Sequence, residues 1–157
     1  MSYTDTDINI LADLIRTNGL SLAEVIDWAY SQYAEESIEP WIEKLSLAND
    51  KKEALEILQN NFNITEELGQ EILAGKVAFE YFQKKTDLHE TLSRLLFDIF
   101  SGSELNEEKT DLYMAEDFFR WHHQAESEAL KVAKPVLEKY AARYKEARER
   151  FNTQQAR

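Results

Sequence analysis

The stretch Ser21–Asp50, SLAEVIDWAYSQYAEESIEPWIEKLSLAND, decides the fold. Ser21 and Glu24 have the spacing of a capping box, in which the Ser21 hydroxyl accepts from a first-turn amide and the Glu24 carboxylate reaches back to the Ser21 amide. Behind that start, Leu22, Val25, Ile26, Ala29, Tyr30 and Tyr33 recur at helical spacing and form one apolar face. Pro40 suits the first turn of a second helix, where its missing N–H costs nothing, and Trp41, Ile42, Leu45 and Leu47 supply the buried side. Glu35, Glu36 and Glu39 fill the connection. Helices joined this closely predict a hairpin, because short connections place consecutive helices antiparallel.

The same grammar extends in both directions. Upstream, Ile8, Leu11, Leu14 and Ile15 predict a short helix, and Asn18-Gly19 supplies a left-handed end. Downstream, Asp50 and Glu53 form a box-like pair ahead of Ala54, Leu55, Ile57 and Leu58. Thr65 opens a helix through Leu68, Ile72, Leu73, Phe79 and Phe82, with a break or a close helix contact expected at Gly75. Asp87 and Glu90 cap the next helix, whose Leu88, Leu92, Leu95, Leu96, Ile99 and Phe100 form the most hydrophobic stripe, expected at the centre of the core. Ser101-Gly102-Ser103 ends it. Leu112, Ala115, Phe119, His122, Ala129, Val132, Val136, Tyr140 and Tyr144 then fall near one face, predicting one long helix kinked or interrupted at Pro135. No stretch alternates as a strand does. The expected fold is all-α, a single domain over residues 1–157 with roughly six to eight helices in antiparallel hairpins and a long C-terminal helix.

Composition agrees with that class. The chain is 43% hydrophobic, enough for a core that needs no covalent staple. Two prolines and four glycines punctuate it, too few for the turns of an all-β domain. There is no cysteine, which removes disulfides, zinc-thiolate sites and thiol nucleophiles and leaves a reducing cytosol as the default. The first residues, MSYTDTDINIL, are acidic where a secretory signal is basic, and no apolar run has the length of a membrane helix. A cytoplasmic protein is expected.

The net charge of −12 is unevenly spread. Residues 1–50 hold ten acids against two bases, whereas residues 103–157 hold eleven against ten. An acidic body disfavours phosphate backbones and favours basic partners. Towards the end, Lys131, Lys134, Lys139, Arg143, Lys145, Arg148, Arg150 and Arg157 face Glu138, Glu146 and Glu149. Local ion pairs make that helix a solvated one rather than a nucleic-acid or membrane binder.

Catalytic and cofactor chemistry finds no pattern to stand on. The four glycines are too far apart to build a phosphate loop, and three histidines with scattered serines are not a triad. Metal chemistry has one candidate, His122 and His123 with Glu126, where helical spacing lets one imidazole and a carboxylate share a cation. It lacks the Glu-x-x-His pairs of di-iron bundles, and His89 lies at the solvent-prone start of another helix. A packed His122 is the favoured reading, so no cofactor, no metal and no catalytic residue is assigned. Trp28, beside its helix's apolar face, Trp41, and Trp121, next to Arg120, are read as core aromatics ahead of partner anchors.

Leu22-x-x-Val25-Ile26-x-Trp28-Ala29, followed by Pro40-Trp41-Ile42-x-x-Leu45-Ser46-Leu47-Ala48, resembles a pattern in small all-helical bacterial proteins. In those, a helix ending in Trp-Ala precedes a Trp-Ile-x-x-Leu-Ser-Leu-Ala segment. The run Asp111-Leu112-Tyr113-Met114-Ala115-Glu116-Asp117-Phe118-Phe119 is similar to their Tyr-x-Leu-Asp-Asp-Tyr-Tyr run, though Ala115-Glu116 stand where that pattern has Leu-Asp. Some of these proteins are thought to be immunity proteins of toxin systems. The resemblance implies an immunity-type protein; taken with the acidic charge, the expectation is a non-enzymatic, acidic protein-binding module that neutralises a basic toxin, with Glu35, Glu36, Glu39, Asp111, Glu116 and Asp117 as the acids that meet the partner. The alternatives are an oligomeric scaffold assembled through the C-terminal helix and a metal binder using His122, His123 and Glu126.

Overall fold

The structure, a computed structural model, describes residues 3–34, 38–66, 68–121 and 125–152, and every regular element among them is helical. In chain order these are α1 (Asp5–Arg16), α2 (Leu22–Ser31), a 3-10 turn (Gln32–Ala34), α3 (Pro40–Ser46) and α4 (Lys51–Asn61). There follow α5 (Gly69–Phe82), α6 (Leu88–Ser93), a π-helical segment (Arg94–Ile99), α7 (Glu107–Trp121) and α8 (Ala125–Glu149). The all-α class and the long C-terminal helix stand as expected. The chain forms two compact units, residues 1–69 with 146–157, and residues 70–145.

In the first unit the expected helix starts are built as their sequence dictates. Glu24 N donates to Ser21 Oγ at 3.1 Å and Ser21 N to Glu24 Oε1 at 3.2 Å, closing the capping box of α2. A second box, Thr4 with Asp7, opens α1. Pro40 occupies the first turn of α3. Asn18 itself, at φ 61°, takes the left-handed position that ends α1, and Gly19 N donates to Leu14 O at 2.7 Å. The fourth start works differently. Asp50 accepts from Glu53 N at 2.7 Å, but the Glu53 carboxylate turns to Asn49 instead of returning to the cap.

Here α2 packs on α3, α3 on α4 and α1 on α4. Ile8, Leu11, Leu14 and Ile15 are all buried, as their spacing predicts. Three expectations are corrected, for Leu47, Thr65 and Tyr30. Leu47 caps the end of α3 and is 63% exposed, its place in the core taken by Ala48. Thr65 opens no helix: its amide donates to the buried Asn9 Oδ1 at 2.6 Å while Asn9 Nδ2 donates to Asn63 O at 2.9 Å, so the segment before α5 is tied to α1 in a non-helical form. The core is completed by an aromatic cluster. Trp28 meets Tyr3 and Phe151 edge-on, both at 5.2 Å between centroids, and lies 6.1 Å from Trp41, which meets Phe62 edge-on at 4.9 Å. Trp28 and Trp41 are therefore core residues, and Tyr30, expected in the apolar face, is exposed.

The second unit is organised around the stripe of α6 and the π-helical segment. Leu88, Leu92, Leu95, Leu96, Ile99 and Phe100 are all buried, packed with Ala74, Val77, Leu112, Ala133 and Leu137 from α5, α7 and α8. The wider winding shows in Phe100 N donating to Leu95 O, five residues back, at 2.9 Å. Gly75 makes the close helix contact expected there, with no break. A Cβ added to it would stand 2.6 Å from Tyr144 Cβ and 2.7 Å from Tyr140 O. The region expected to be one long helix is described as α7 and α8, with residues 122–124 outside the described residues, and Pro135 lies inside α8 without interrupting it. The proline leaves the Lys131 carbonyl without its usual helical donor, yet the flanking turns carry α8 on to Glu149.

Candidate functional site

Of the six acids singled out in the sequence, four lie among the described residues. Glu35 and Glu36 lie outside the described residues. Glu39, at the start of α3 in the first unit, accepts the indole N–H of Trp41, so it is engaged in orienting a core residue. The other three lie on α7 in the second unit. Successive helix residues are about 100° apart, so Asp111, Glu116 and Asp117 point in three directions. Glu116 is 4% exposed, with Oε1 3.5 Å from Arg120 Nε and 4.0 Å from His89 Nε2. It is therefore an internal counter-charge, and a surface role for it is withdrawn. Asp117 is exposed and Asp111 half-buried.

Charge matching separates α7 from α8. Five bases of the C-terminal region have acidic partners. Lys131 pairs with Glu128, Lys134 with Glu138 and Lys139 with Glu108 in the second unit. In the first, Arg148 pairs with Glu24 and Arg150 with Asp7. The Lys139 ammonium bonded to Glu108 holds that carboxyl below its usual range, against the opposing effect of burial, while burial and the Glu108 charge push the neighbouring Tyr140 phenol well up. On α7, by contrast, Glu107, Asp111 and Asp117 have no ion pair among the described residues. The cations of α7 are already occupied, Arg120 by Glu116 and Lys109 by the Glu104 carbonyl at 2.8 Å. The outward charge of this helix is negative.

Beside those acids lie exposed apolar side chains: Phe97 at 48%, Tyr113 at 37% and Met114 at 50%, with the rings of Phe97 and Tyr113 edge-on at 6.4 Å. Tyr113 and Met114 belong to the run already singled out in the sequence. Phe97 was missed, and its signal was available, since it is a large aromatic off the Leu92–Leu95–Leu96–Ile99 stripe.

Other sites offer less. An open cleft of ≈ 720 Å³ in the second unit is lined by Lys84, Lys85 and Lys134 and equally by Asp87, Glu90 and Glu126, a mixture that selects neither charge. Among the described residues no three histidine or carboxylate groups are placed to hold a metal. Glu126 is exposed, while His122, His123 and the Trp121 side chain lie outside the described residues. The apolar residues of α8, among them Ala129, Ala133, Leu137, Tyr140 and Tyr144, are buried in the unit they belong to, so that stripe is not available to a second copy. No described helix is long and apolar enough to cross a membrane. Compared with protein families, curated proteins and solved structures, the chain finds no match.

Proposed function

We propose that this protein is a non-enzymatic, acidic binding module that captures a basic protein, with toxin neutralisation in the cytosol as the role that fits both the charge and the resemblance described above. The observation that carries the reading is the unmatched negative charge of α7: Glu107, Asp111 and Asp117 have no counter-ion among the described residues, while most bases of α8 are satisfied internally. Acids left free in this way speed encounter with a cationic partner and suppress anionic ones. Affinity capture from the native host followed by stopped-flow association with the identified protein tests it. The captured partner is expected to be basic and its association rate to fall as salt rises, and Asp111→Lys with Asp117→Lys is expected to slow association by about tenfold or more. An acidic partner, or a rate indifferent to both salt and charge reversal, would refute the reading.

A further inference from the structure

We infer that the outer face of α7 and the adjoining π-helical segment form a docking strip for a cationic amphipathic helix of the partner protein, an inference that rests on the acidic-binder reading and gives it a location. Thr110, Tyr113, Met114 and Asp117 follow the i, i+3, i+4, i+7 spacing of a single helix face. Phe97 leans on that face through its edge-on contact with Tyr113, so three large apolar side chains, each more than a third exposed, form one neighbourhood instead of three isolated exposures. Single exposed apolar residues are ordinary, but grouped ones mark contact surfaces.

The charges around the strip choose the occupant. Asp98 adjoins Phe97 in sequence, Asp117 falls on the strip between Tyr113 and Met114, and Glu107 lies two turns from Met114 on its side of α7; all three are exposed and lack an ion pair among the described residues. On the Tyr113 side Lys109 and Arg120 are held by the Glu104 carbonyl and by Glu116, so the unmatched charge at the strip is negative. A second copy would set acid against acid, and a membrane surface or nucleic acid would bring more negative charge to it. A purely apolar ligand would cover Phe97, Tyr113 and Met114 but leave the acids unmatched. A helix with one apolar stripe flanked by lysine or arginine satisfies both parts, its stripe on the aromatic and methionine side chains and its bases over Asp98, Glu107 and Asp117. Methionine suits such a surface because its unbranched side chain repacks around an incoming group.

The probe is an amphipathic helical peptide of leucine and lysine, with a leucine and glutamate peptide of equal length as control, added to the isotope-labelled full chain. The lysine peptide is expected to shift amide resonances of residues 94–99 and 107–121. Phe97→Ser and Met114→Ser are each expected to weaken its binding about tenfold, as truncation of interface anchors does, and Asp117→Asn to flatten its salt dependence. Shifts confined to other helices, equal binding by the glutamate peptide, or binding unchanged in both serine variants would overturn the strip. So would no binding at all, or sedimentation showing that the chain dimerises through these residues. The resonance map comes from the unsubstituted protein and so stands whether or not a variant folds. The strip can fail while a basic host partner still associates in a salt-dependent way, whereas an acidic partner or a rate indifferent to salt and charge reversal removes the acidic-binder reading itself.

Discussion

Asp13 is the residue whose environment and charge disagree most. Its carboxylate is buried in α1, Oδ1 accepts from Arg16 at 3.0 Å, and Oδ2 has no hydrogen-bond partner. Burial raises its pKa; the Arg16 charge and hydrogen bond pull it down by less, and the Glu66 charge adds to the rise. A carboxyl whose pKa is higher folded than unfolded favours the fold while protonated, and that contribution is lost as pH climbs through the raised value. Asp13→Asn is therefore expected to raise Tm at neutral pH, with the gain vanishing below the ordinary aspartate range; thermal melts across pH measure it, and a variant less stable at neutral pH would show that the Arg16 pair outweighs the burial. Glu108 acts with the opposite sign: its lowered pKa gives stability above the ordinary glutamate range that is lost as pH falls through the folded value. Gly75 is the other residue with no freedom, because the atoms a Cβ would strike include the Tyr140 backbone. Gly75→Ala is expected to cost about 1–3 kcal/mol or more in urea denaturation, although alanine is the better helix former.

Among the elements, α2 shows how far sequence alone carries. Its capping box, its start and the burial of Val25 and Ala29 all follow from local spacing, and Ser21→Ala is expected to cost about 1 kcal/mol by chemical denaturation. Local rules decide such features because the partners are a turn apart. They fail where the partner is distant. Thr65 has the look of a helix start, but its amide is claimed by Asn9, which no local pattern reveals. The π winding of residues 94–99 is hidden for another reason: the stripe Leu92, Leu95, Leu96, Ile99, Phe100 fits ordinary helical periodicity equally well. The candidate surface was legible only in part. Asp117, Tyr113 and Met114 were in view, but Glu116 reads as a surface acid until His89 and Arg120 are placed beside it, and Phe97 gains meaning only from its contact with Tyr113.

For the whole molecule, the first unit is discontinuous, since residues 146–157 complete what residues 1–69 begin. Phe151, 1% exposed, packs against both Tyr3 and Trp28, and Arg148 and Arg150 pair with Glu24 and Asp7. Phe151→Ala is expected to destabilise this unit by about 3–5 kcal/mol, read from the fluorescence of the neighbouring Trp28 and Trp41 during denaturation. It follows that removing the end of α8 to test self-association would damage the first unit as well. The same arrangement sets an order of events in the cell. At about 5–20 residues per second, synthesis takes on the order of ten seconds to pass from residue 69 to residue 151. For that interval the nascent chain holds Trp28 without the phenylalanine ring that meets it edge-on in the finished unit.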